Sequence, residues 1–181
     1  MPFNFPAPTD QNKLGISGFA NEFPDEDDWH RFMKRFRSDV DPKDASTRIV
    51  TVVPVNCGVD DPNSPGRRGN IDTQYSVALT FPTQIEYYTI GGVKQITHNG
   101  TTDSDQYLKW LEYMIDLPNV PRTISVPYFT GELDLPIQYA ILGARGVSIL
   151  VSSGDEAVGK ETQGRCVRFS TSFPASCTCD S

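Results

Sequence analysis

Two aspartates stand where a carboxyl could do chemistry. Asp155 follows the β-branched run VSILVS (residues 147–152) after Ser153 and Gly154. Side chains at the carboxyl ends of parallel strands face the crevice in which such sheets bind ligands, so Asp155 is a candidate acid or binding group. An Asp capping the next turn is the plainer alternative. Asp72 lies in a helix candidate behind a Gly-rich loop and, taken alone, is an exposed helix acid. Four cysteines, Cys57, Cys166, Cys177 and Cys179, raise the question of zinc. Cys177-Thr-Cys179 is a poor chelate spacing, and His30 and His98 lie far from it in sequence, so one disulfide with two thiols is the simpler account. Asn99-Gly100-Thr101 is the one glycosylation sequon, and it also reads as a polar turn. The chain has no Gly-x-Ser-x-Gly, phosphate loop or metal-binding His pair.

The elements that must position these groups follow from the hydrophobic pattern. Residues 14–19 (LGISGF) read as a strand end and a turn. Asp25, Glu26, Asp27 and Asp28 precede Trp29, Phe32, Met33 and Phe36, spaced i, i+3, i+4, i+7. That spacing predicts an amphipathic helix with acids in its first turn and Lys34, Arg35 and Arg37 near its end, as the helix dipole favours. Residues 48–55 (RIVTVVPV), 84–90 (QIEYYTI), 123–128 and 147–152 read as strands. Residues 70–79 place Ile71, Gln74, Tyr75, Val77 and Ala78 at roughly helical spacing. Tyr107, Trp110, Leu111, Met114 and Ile115 share one face of a second strong helix. Residues 133–142 leave room for two or three helical turns, and from Ser153 onward the chain reads as loop. Strands alternating with helices imply an α/β fold, a mainly parallel sheet covered on both faces. No internal repeat or domain boundary is visible.

Composition bounds the function. The 181 residues carry 16 Lys+Arg and 23 Asp+Glu, a net charge of -7, and the mean hydropathy is -0.37. An acidic chain without a basic run lacks the electrostatic footprint for nucleic acid or an anionic membrane. No apolar stretch approaches the ~18–20 residues of a membrane span. The first residues, MPFNFPAPTDQNK, lack the basic and apolar regions of a signal peptide.

Several segments in order resemble the sedolisin family, the serine-carboxyl peptidases that include fungal secreted tripeptidyl peptidases. They are LGISGF, the helix at 29–37 followed by DVDP, TVVPVNCG, GNIDTQY, LGARGVSILVSSGD and FPASC. The resemblance covers nearly the whole chain and makes residues 1–181 part of a sedolisin-like peptidase domain. It implies a subtilisin-like fold and a site with a Ser nucleophile, a Glu base, an Asp orienting the Glu, and a second Asp in the oxyanion hole. Acid pH suits this set, because the oxyanion Asp must be protonated to donate while the Glu must be partly ionised to accept.

Carried over residue by residue, the resemblance puts the oxyanion Asp on Asp155 and the orienting Asp on Asp72. The Glu belongs four residues before Asp72, one helical turn away. That position is Arg68, and a guanidinium cannot accept a proton there. Glu22, Glu26 and Glu86 match no relevant motif, and the expectation is that no Glu lies nearby. The Gly-Thr-Ser-Ala motif of the nucleophile, and the calcium site, fall in the family beyond FPASC. No cofactor is therefore expected for these residues, and peptidase activity is expected to be absent.

The family's Ser-aromatic-Gly substrate strand falls on Ser125-Val126-Pro127-Tyr128-Phe129, marking Ser125 as substrate-binding. The resemblance further implies a disulfide between Cys166 and Cys177, peptide or unfolded protein as partner, and an extracellular setting. A non-catalytic peptide-binding or decoy module and an incomplete gene product are the alternatives. Exposed apolar surface, and with it self-association, is expected where the sheet lacks neighbours.

Overall fold

The computed structural model describes residues 12–46, 49–92, 95–97, 100–102, 104–128, 135–155 and 173–177. In chain order the elements are β1 (Lys13–Gly18), α1 (Glu26–Phe36), a 3-10 turn (Asp44–Ser46), β2 (Val50–Val55), α2 (Arg67–Thr80), β3 (Gln84–Ile90), β4 (Gln95–Thr97), β5 (Gly100–Thr102), α3 (Ser104–Asp116), β6 (Thr123–Val126), α4 (Pro136–Ala144) and β7 (Ser148–Val151). Five strands form one sheet in the order β2-β3-β1-β6-β7, and every pairing in it is parallel. β4 and β5 form a separate antiparallel pair. The α/β fold with a parallel sheet, expected from the pattern, is what the chain adopts.

The expectation for residues 14–19 needs correcting. They are not a strand end and a turn but the centre of the sheet, paired with β3 on one side and β6 on the other. The two glycines answer to packing. A Cβ on Gly15 would stand 3.3 Å from both Ile124 and the Tyr88 ring, and one on Gly18 would fall 2.4 Å from the Tyr87 ring. At the outer edge, Pro54 in β2 withholds an N–H, which blunts that edge against further pairing.

Two cores flank the sheet. On one face Trp29 and Met33 of α1 and Val77 and Ala78 of α2 pack with Ile16, Ile85 and Tyr87. On the other, Tyr107, Trp110, Leu111 and Met114 of α3 and Leu142 of α4 pack with Tyr88, Ile124 and Val126. Phe173, from FPASC, is buried against Tyr107 and Tyr139, ring centroids 5.7 Å from each.

The buried face of α2 differs from the periodic reading. Gly69, Thr73, Val77 and Ala78 are buried, whereas Ile71, Tyr75 and Leu79 are exposed, Leu79 by 67%. Thr73 can be buried because its hydroxyl donates to Gly69 O at 2.7 Å. Phe36, expected on the apolar face of α1, is 60% exposed and leans on Phe32, 4.6 Å away, with the Arg35 guanidinium over its ring. Ile137 on α4 and Leu150 on β7 are exposed as well.

Candidate functional site

The carboxyl side of the sheet is organised by the N-terminus of α2. Gly66 caps the helix without a side chain, so the first turn takes its acceptor from elsewhere. Glu22, in the segment after β1, supplies it: Oε2 accepts from Arg68 N at 2.9 Å and from Gly69 N at 3.4 Å. A carboxylate there satisfies orphan N–H groups and meets the positive end of the helix dipole. Gly66 N donates to Phe23 O at 3.0 Å, and a Cβ on Gly69 would sit 2.7 Å from that same oxygen. Asn70 Oδ1 accepts from Asp25 N at 2.6 Å while Nδ2 donates to Asp28 at 3.1 Å. The Gly-Asn of GNIDTQY thus docks α2 against the start of α1 and sets where Asp72 stands.

Asp72 is half-buried, and its Oδ2 is buried without a hydrogen-bond partner. Burial pushes its carboxyl up from 3.8 to about 6, Arg68 pulls against that rise, and the charge of Glu22 adds to it. Two buried tyrosines line the same place. Tyr87 donates its hydroxyl to Glu22 O at 3.0 Å, and the buried Tyr128 hydroxyl interacts with that of Tyr87. Burial raises both phenols, and the neighbouring charges of Asp72 and Glu22 raise them further. Glu22, Arg68, Asp72, Tyr87 and Tyr128 therefore form one polar cluster.

This corrects the expectation that no Glu lies near Arg68. Glu22 reaches the site from 46 residues away in sequence, through a fold contact that no motif spacing reveals. The signal that could have found it is its position just beyond the central strand, four residues after Gly18.

The other expected residues are placed as follows. Asp155 is exposed, four residues past β7, next to Gly154 at φ 93°. Asp72 and Asp155 both lie on the carboxyl side of the sheet, but no hydrogen bond or ion pair links them. Ser125 sits in β6 between Ile16 of β1 and Leu150 of β7, and its carbonyl accepts from Ser17 Oγ at 3.4 Å. Both of its edges are thus occupied, and a peptide adding to this strand would have to start beyond it, at Pro127, which has no N–H. Cys177 is half-buried; the bridge expected between it and Cys166 falls on Cys166, which with Cys179 and Asn99 lies outside the described residues. Cys57 is an exposed free thiol. Among the described residues no three His, Cys, Asp or Glu side chains gather as a metal site, and no helix is long and apolar enough to cross a membrane.

A parallel sheet with two helices on each face, and a carboxyl group held over its carboxyl side, defines an α/β domain of the subtilisin-like class. No family model matches the chain. Its sequence is 30% identical over 93% of its length to tripeptidyl-peptidase SED2 of Arthroderma otae. It is 28% identical over 93% to probable tripeptidyl-peptidase SED2 of Trichophyton verrucosum, and 29% identical over 92% to tripeptidyl-peptidase SED4 of Arthroderma otae. The chain is similar to these tripeptidyl-peptidases, and it spans about 31% of the length of the first two and 30% of the third.

Proposed function

We propose that this chain is a sedolisin-type domain that binds peptide segments without hydrolysing them. One observation carries the reading: Arg68 stands one turn before Asp72, close enough to oppose its protonation, at the position where the family resemblance calls for the general base. A guanidinium has no lone pair with which to take a proton from a nucleophile. Glu22 Oε2 accepts from the backbone of Arg68 and Gly69, so this carboxylate serves as the cap of α2 and does not stand on the helix one turn before Asp72.

Two features support retained binding. Asp72 Oδ2 is a buried carboxyl oxygen without a hydrogen-bond partner, and a small opening of the cluster around it would let a peptide N–H satisfy it. The similarity to tripeptidyl-peptidases makes a peptide or unfolded protein the natural ligand class, and an extracellular setting belongs to the same reading.

Fluorescence polarisation of a labelled unstructured peptide between pH 4 and 7, followed by mass spectrometry of the recovered peptide, tests it. Saturable binding with intact peptide is expected. Absence of saturable binding, or cleavage of the peptide, would overturn it.

A further inference from the structure

The opposite side of the sheet holds a group of cations that the peptidase reading does not use. Lys13 opens β1, Arg122 immediately precedes β6, and Arg145 lies three residues before β7. These are three neighbouring parallel strands, so the three cations are gathered at their amino ends. Together with Pro118, Asn119, Val120 and Pro121 they line a cavity of about 530 Å³, a volume typical of small-molecule sites. Among the described residues no carboxylate lines it, in a chain whose net charge is -7.

Lys13 is paired with a carboxylate, whereas Arg122 and Arg145 are held by backbone carbonyls. Arg145 donates to the carbonyls that end α3: Met114 O at 3.2 Å, Ile115 O, and Leu117 O at 2.5 Å. Its charge thus answers the negative end of a helix dipole. Arg122 Nη1 donates to Arg145 O at 3.0 Å and has no carboxylate partner among the described residues, leaving its other N–H groups available. Lys13 pairs with Glu86 at 2.7 Å. Among the described residues Glu86 is the one acid in contact with the group, and its second oxygen accepts from the Tyr88 hydroxyl at 2.5 Å. Three cations against one carboxylate leave a net positive site. Pro118 and Pro121 stiffen its wall by fixing their own φ angles.

We propose that this cavity binds a phosphate dianion carried by a small organic molecule, a phosphate monoester. A guanidinium fork matches phosphate oxygens, and Arg122 has N–H groups left to supply one; the net positive charge of the group suits a dianion over a monoanion, and the volume leaves room for the organic part of an ester. The site stands apart from the cluster around Asp72 and does not depend on the proposed peptide binding.

Isothermal titration of the 181-residue chain at fixed ionic strength and pH 7 tests it with three probes. Phenyl phosphate is expected to bind saturably with 1:1 stoichiometry, inorganic phosphate several-fold more weakly, and acetate not measurably. Arg122→Gln is expected to weaken phenyl phosphate binding by about tenfold or more, Arg122→Lys to weaken it less, and Arg31→Gln, outside the cavity, to leave it unchanged. Amide shifts in the unsubstituted chain locate the site without any variant, and those of Lys13, Asn119, Val120, Arg122 and Arg145 should move first. Absent saturation by phenyl phosphate, acetate binding of equal strength, shifts confined to residues that do not line the cavity, or equal binding by folded Arg122→Gln would each overturn the proposal.

Discussion

Replacing Asp72 by Asn tests whether a carboxyl held over the sheet is destabilising when charged. Its folded value of about 6 lies above its ordinary 3.8, so the folded chain binds this proton more tightly than the unfolded one. The resulting stabilisation is fully present below about pH 4 and is lost as the pH rises through about 6. The gap between those values corresponds to a ceiling of about 3 kcal/mol. Asp72 is only half-buried, so solvent screening reduces the expected effect to about 1–2 kcal/mol. Urea unfolding at pH 4, 5, 6 and 7 reads it out. With a slope of about 2 kcal/mol per M urea, the native chain's midpoint should fall relative to that of Asp72→Asn by about 0.5–1 M between pH 4 and 7. Taking the difference between the two proteins cancels the titration of the remaining carboxyls. Parallel midpoints across this range would refute the reasoning.

Three further outcomes follow from the same geometry. Gly69→Ala drives a Cβ to 2.7 Å from the Phe23 carbonyl oxygen; α2 must retreat, and thermal or urea unfolding should show a loss of about 1–3 kcal/mol. Arg68→Glu removes the one charge that holds the Asp72 carboxyl down and adds a like charge one turn away, so carboxyl titration by NMR should place Asp72 above 6, with no gain of peptide hydrolysis. Leu79→Lys interrupts the exposed row of Ile71, Tyr75 and Leu79 beside Phe36, and should lower both ANS fluorescence and any self-association seen by sedimentation.

The sheet was legible because its strands are β-branched runs with no competing period, and α3 because Tyr107, Trp110, Leu111 and Met114 are large and share one face. β1 was not, since the glycines that let Tyr87 and Tyr88 pack beside it look like turn residues in a linear reading. The orientation of α2 was missed for a related reason. Its contact face is built from Gly69 and Thr73, small residues chosen for close approach, while Ile71 and Tyr75 point outward. Asp72 and Arg68 could be paired from their four-residue spacing, but Glu22 could not be joined to them. That carboxylate arrives only through the docking of Gly66, Gly69 and Asn70 on the segment 22–28, a contact between distant parts of the chain.

The proposed reading has a carboxyl held over the sheet at Asp72 and a guanidinium, Arg68, where a base would stand. Hydrolysis of an internally quenched fluorogenic peptide by the 181-residue chain, followed from pH 3 to 7, tests it most directly. The account predicts turnover no faster than buffer at every pH. Clear turnover that Asp72→Asn or Asp155→Ala abolishes would contradict it.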